Sequence, residues 1–247
     1  MFGKAFHLLC LVALLSHAQM HAASIFEHAP NIFSVPLHNW GLQAYLIWIE
    51  QQELVANDGL TEDNFGWSVT IHGDTILVGN PYDSINGFFS NHGSVYVFQW
   101  DDQIETYMEV QLLTGDTDND GDWFGYSVAV DGDTAVVGAI FDDNSGAFGS
   151  GGTFIYTHED RIWSFLQKVI SPDPDTIDQL GDHVAIDGDT IVIGEPWGKD
   201  AMGVETGVVY VYTKAGNTWE LEAQLTTSSG GTDDSFGTAV DISGDIV

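Results

Sequence analysis

The run Asp116-Thr117-Asp118-Asn119-Asp120-Gly121-Asp122 is the most concentrated potential chemistry in the chain. Hard cations such as Ca²⁺ need several oxygen ligands converging on one point. Alternating carboxylates put every second side chain on one side of a loop, and a glycine lets that loop turn. Asp116, Asp118, Asp120 and Asp122 are therefore candidate calcium ligands, and Ca²⁺ is the one cofactor the sequence suggests. An EF-hand loop would place a bidentate Glu at its twelfth position, which here is Ser127. The run is half of that motif, and a solvated acidic loop is the competing reading. Asp173-Pro174-Asp175 is a weaker version.

No pattern for catalysis accompanies it. Gly125-Tyr126-Ser127-Val128-Ala129 starts like a nucleophile elbow but ends in Ala. Its Ser has a counterpart in Ser68, so the pair reads as scaffold, and His183 stands at the same place in a third copy. There is no His-Glu-x-x-His and no phosphate-binding glycine loop. The expectation is no catalytic residue and, on balance, no enzyme. With 37 acidic against 5 basic residues the net charge is −32, which repels phosphate backbones and anionic membrane surfaces. Nucleic acid is excluded as a partner; divalent cations and basic partners suit the charge.

These residues sit in a repeat. Trp48, Tyr107, Trp163 and Trp219 are each followed six positions later by Leu54, Leu113, Val169 and Leu225. A Gly preceded by Phe or Leu comes 18 residues after each aromatic, at Gly66, Gly125, Gly181 and Gly237. A second Gly follows 13 further on, at Gly79, Gly138 and Gly194. Fixed register of this length marks one supersecondary unit copied several times. Asp63, Asp122, Asp178 and Asp234 stand three residues before the first Gly of each copy, which points to a turn-forming role.

Each unit reads as four strands. The first is Val69 to Ile71, Val128 to Val130, Val184 to Ile186 and Val240 to Ile242. Gly73-Asp74, Gly132-Asp133, Gly188-Asp189 and Gly244-Asp245 form a tight hairpin into the second strand. Third strands begin near Ser94, Thr153 and Val208, and the fourth carries the aromatic marker. A lone four-stranded sheet cannot cover both faces, whereas radial stacking can. The predicted class is all-β, a (partial) β-propeller of four-stranded antiparallel blades.

The pairs Phe65-Gly66, Phe124-Gly125 and Phe236-Gly237, followed by Val-Gly-Asn-Pro (78–81), Val-Gly-Ala-Ile (137–140) and Ile-Gly-Glu-Pro (193–196), resemble FG-GAP repeats. The resemblance implies the β-propeller of integrin α-subunit heads and of secreted FG-GAP repeat proteins. It spans residues 44–247. No copy spells Gly-Ala-Pro. The Gly-Asp hairpin stands where integrin-type copies carry a calcium loop, so that family's calcium sites do not transfer.

Residues 1–23 read as a secretory signal, with Lys4, an apolar run and small residues. Cys10, the only cysteine, would leave with it. Residues 24–43, with Pro30 and Pro36, read as a linker or cap, and 44–247 as a propeller fragment of three nearly whole blades with partial ones at each end. Secretion and no stable membrane insertion of the mature chain follow.

In a meander the strand 2–3 loops and 4–1 loops share one end. The 2–3 loops vary most and carry Phe88, Phe89, Phe141, Phe148, Trp197 and Met202, the candidate ligand face. The expected function is a non-enzymatic binding or adhesion module for an extracellular protein or glycan. The alternative is the scaffold part of a secreted hydrolase or lyase whose catalytic residues lie elsewhere.

Overall fold

A computed structural model describes residues 50–59, 63–84, 91–115, 121–144, 146–228, 230–232, 234–244 and 246–247. The chain separates into two compact units, Met1–Val55 and Ala56–Val247. In the first, the described residues 50–55 carry no strand, so the expected fourth strand ending at Leu54 is not formed there; the rest of that expectation, like the signal and the linker, lies outside the described residues.

The second unit holds three four-stranded antiparallel sheets in simple meander order. Blade one is β1 (Ser68–His72), β2 (Thr75–Asn80), β3 (Ser94–Asp101) and β4 (Thr106–Leu113). Blade two is β5 (Phe124–Asp131), β6 (Thr134–Ala139), β7 (Gly152–Glu159) and β8 (Ile162–Ile170). Blade three is β9 (Val184–Asp187), β10 (Thr190–Glu195), β11 (Val208–Ala215) and β12 (Thr218–Leu225). Among the described residues there is no helix. The first hairpins turn on two residues, with Gly73, Gly132 and Gly188 at φ of 55°, 53° and 56°. A β-carbon at such a φ is strained, which is why the position is glycine.

The second strands are the most buried, because they are covered on both faces. Between blades one and two, Leu77, Val95 and Val97 pack with Phe124, Val128 and Val137. Between blades two and three, Val136, Ile155 and Val169 pack with Leu180, Ile191 and Ile193. Each such side chain, fully buried, stabilises the stack by roughly 1.5–3 kcal/mol.

Specific joints register the blades. Ser68 Oγ donates to the Gly125 carbonyl at 2.8 Å, and Ser127 Oγ to that of Gly181 at 2.7 Å. Asp131 Oδ2 accepts from Gly188 N, and Asp187 Oδ2 from Gly244 N, each at 2.6 Å. Farther from the inner strands, Gln111 Nε2 donates to the Trp163 carbonyl at 2.7 Å while its Oε1 accepts from Trp163 N at 2.9 Å. Gln167 repeats this clamp on Trp219, at 2.9 and 2.8 Å. In blade three the equivalent residue is Ala223, which pairs with Val211 as Gln111 does with Val97.

The fourth copy departs from expectation. Val240 to Ile242 forms no strand; the described residues there show one isolated bridge, Ser243 to Ile246. The segment packs on blade three instead, and its Ile242 N–H donates locally to Asp241 Oδ1 at 2.9 Å. Val240 N donates to His183 Nδ1 at 3.4 Å, and Ile242, Val240 and Phe236 pack on Ala185, Val192 and Val209. His183 thus ties the fourth copy to blade three at the place where Ser68 and Ser127 make their joints.

Candidate ligand-binding face

The strand 2–3 and 4–1 connections leave the same end of the sheets. There the described rings form a continuous cluster. Tyr82 lies 4.6 Å from Trp123 between ring centroids and 6.1 Å from Trp67. Trp67 reaches Tyr126 at 5.4 Å, Trp123 stacks on Tyr126 at 6.2 Å, and Phe141 meets Trp123 edge-on at 4.6 Å. Trp67 is 47 % exposed, so the cluster reaches solvent.

Trp123 holds an unusual conformation for so large a residue. The position before Phe or Leu of each copy has positive φ: Asn64 59°, Trp123 57°, Gln179 59°, Ser235 54°. Three copies fill it with polar residues of modest size. A bulky side chain in the left-handed region costs about 1–2 kcal/mol. Blade two bears that cost and in return holds a ring in contact with three others.

Of the six residues expected on this face, Phe88 and Phe89 lie outside the described residues. Phe141 is half-buried against Trp123, while Phe148 and Met202 are exposed, at 62 % and 84 %. Trp197 is partly exposed, and its Nε1 donates to Gln179 Oε1 at 3.0 Å, which fixes the ring. The structure thus joins Phe141 to a cluster and leaves Phe148 and Met202 outside it. Sequence reasoning missed Trp67, Tyr82, Trp123 and Tyr126. The usable signal was a column of aromatics, Tyr82, Phe141 and Trp197, two residues after Asn80, Ala139 and Glu195.

Beneath the 2–3 loops each blade holds a carboxylate, half-buried in blade one and buried in blades two and three. In blade one Asp83 accepts from Ser94 Oγ at 2.5 Å and from Tyr96 OH at 3.3 Å. Blade two's Asp142 is paired with Lys168 Nζ at 2.7 Å, and Lys168 lies over the Phe154 ring. Blade three moves the carboxylate three residues back to Glu195, which accepts from Tyr210 OH at 2.8 Å, and Gly198 leaves it room. Burial raises Asp83, and it raises Glu195 to about 7; Tyr210 is also raised, by burial and then by the Glu195 charge. Farther out on the face, Asp182 is raised by burial too.

The acidic run falls mostly outside the described residues. Asp116, Asp118 and Asp120 are not described; Asp122 is buried just before β5, and its carbonyl accepts from Phe141 N at 3.2 Å. Among the described residues no three His, Asp or Glu are grouped so as to hold a metal ion. Asp178 and Asp234, its equivalents, accept the backbone N–H of Asp175 and Gly231 in the preceding turn. Asp175, of the weaker acidic pair, is engaged by Lys199.

Three meander sheets stacked through their inner strands define blades of a β-propeller. The FG-GAP repeat family model matches residues 48–98, 107–156, 163–212 and 219–247, and the chain belongs to the FG-GAP repeat family. Its paired glycines now have a physical meaning. A β-carbon on Gly79 would lie 2.1 Å from the Gly125 carbonyl oxygen, and one on Gly138 2.0 Å from that of Gly181. The second glycine of one copy is the seat for the first glycine of the next. No curated protein matches the chain significantly. No helix of the described residues is long and apolar enough to cross a membrane.

Proposed function

We propose that this propeller is a secreted, non-enzymatic binding or adhesion module whose loop face takes an extracellular protein or a glycan. The observation that carries this reading is the cluster of Trp67, Tyr82, Trp123, Tyr126 and Phe141, held partly at the expense of backbone strain and reaching solvent. Aromatic anchors supply most of the energy of protein interfaces, and their rings equally stack on sugar faces. Asp182 lies one residue beyond Gly181, where the other blades hold Trp67 and Tyr126, and puts a carboxylate beside the rings. With a net charge of −32, a basic protein is the favoured partner of the two.

A pull-down with the secreted protein tests this. Trp197→Ala and Phe141→Ala should each weaken capture by about tenfold or more, and raised salt should weaken it further. Capture that survives both changes moves the site off this face. Capture insensitive to salt removes the basic partner.

We also propose that the Asp116 to Asp122 run binds Ca²⁺. Millimolar calcium should then raise the melting temperature, through binding to the folded state alone. Asp118→Ala combined with Asp120→Ala should abolish the rise. An unchanged rise in that variant, or no rise in the parent, rejects the site.

A further inference from the structure

At the opposite end of the sheets a cavity of about 470 Å³ opens between blades one and two. Its walls come from the β3–β4 turn and β4 of blade one, and from the β7–β8 turn of blade two. We propose that this groove binds a neutral hexopyranose unit of a glycan, at a site separate from the loop face. The inference rests on none of the residues invoked for that face.

The volume lies within the range of small-ligand sites, about 300–1,000 Å³. Trp100 supplies a platform. Its indole Nε1 donates to Asp102 Oδ1 at 2.9 Å, and its ring packs edge-on to Tyr107 at 5.1 Å. The ring is therefore held in one orientation while partly exposed. On the facing wall His158 stacks on Trp163 at 4.8 Å and 26°. The Gln111 clamp on the Trp163 backbone ties the two walls together. Fixed rings set in a rigid cleft suit the C–H faces of a pyranose, which lose little entropy on binding there.

The polar groups sort by wall. Blade one presents Asp101 and Asp102; blade two presents Arg161. Asp102 uses one oxygen on Trp100, and Asp101 uses one on Gln103 N at 2.8 Å. The second oxygen of each has no partner among the described residues. Arg161 is the chain's sole arginine. Among the described residues it makes no ion pair, whereas Lys168 and Lys199 are paired with Asp142 and Asp175. Acceptors on one wall and a fixed-charge donor on the other match hydroxyl groups, which both give and take hydrogen bonds. Asp74, Asp101 and Asp102 would repel a uronate or a sulfated sugar, so the groove selects a neutral one.

The test is titration of the full chain with maltotetraose, cellotetraose and mannotetraose, read by calorimetry and tryptophan fluorescence, with tetragalacturonate as the acidic counterpart. At least one neutral tetrasaccharide should bind, and tetragalacturonate should not. Trp100→Ala and Arg161→Ala should each weaken binding by about tenfold or more. Arg161 is exposed, so its variant carries the test should Trp100→Ala fail to fold. No binding by any neutral sugar, preference for the acidic one, or affinity unchanged in Arg161→Ala overturns the proposal.

Discussion

Gly138→Ala should cost the fold more than about 3 kcal/mol, at the upper end of single-methyl insertions. Its new β-carbon would sit 2.0 Å from the Gly181 carbonyl oxygen and 2.4 Å from Ser127 Oγ. Those two atoms are bonded to each other across the joint at 2.7 Å. Ser127 Oγ could rotate away only by giving up that hydrogen bond, but the Gly181 carbonyl is backbone, so relief requires blades two and three to part. Gly132→Ala is the control. Gly132 has φ +53° but nothing within 4 Å of the added carbon, so only backbone strain of about 1 kcal/mol is expected. Urea unfolding of the two variants compares the costs directly. Near-equal losses would mean that the joint yields, and that the paired glycines do not set blade spacing.

Acidification from pH 8 towards pH 5 should stabilise the protein, and Glu195 should supply the largest single share. Its folded pKa, about 7, lies above the ordinary 4.5 because burial penalises the charged form. The sign follows from linkage. The fold prefers the protonated carboxyl, so the stabilisation is full below 4.5 and is lost as pH rises through 7. A shift of that size corresponds to about 3 kcal/mol. The groups facing Glu195 act in both directions: hydrogen bonds from Tyr210 and Ser171 lower its pKa, while Asp178 and Asp173 raise it. Asp83, Asp178 and Asp182 are raised as well and add to the trend, whereas Asp175, lowered by Lys199, opposes it. Glu195→Gln keeps an acceptor for Tyr210 and cannot ionise. It should flatten much of the slope and be the more stable protein at pH 8. A stability profile of the variant that superimposes on the parent's would remove Glu195 from the account.

Much of the fold was legible because the repeat states it several times. Spacing placed the four strands of each blade, and the Gly-Asp hairpins followed from the φ they require. The fourth copy misled, since Val240-Asp241-Ile242 has a strand's composition but bonds His183 through Val240 N, bonds itself through Ile242 N, and packs on the blade-three core. The joints were harder to read. Gln111 and Gln167 look like ordinary surface residues until the bulge in each fourth strand turns them towards the next blade. Asp131 and Asp187 could pass for turn residues, because only their position against the next blade's hairpin shows what they hold. The aromatic cluster was missed for a similar reason. It joins Trp67, Tyr82 and Trp123 across two blades, and no linear spacing links them. The carboxylate beneath the loops moved from the position of Asp83 and Asp142 to Glu195, so fixed spacing does not reveal it.

The joints between blades are polar in direction. Each copy gives a hydroxyl, a carboxylate or an amide forward and offers a glycine backbone or an aromatic's peptide group to the copy before it. Such a connector is head-to-tail, so any copy with the same two ends can follow any other. A whole blade is thus an interchangeable cassette. Duplicating one brings in both halves of its couplings and leaves every other coupling unchanged. Lineages carrying this unit could lengthen or shorten the array in a single genetic step, while loops at either end diverge without disturbing the seams.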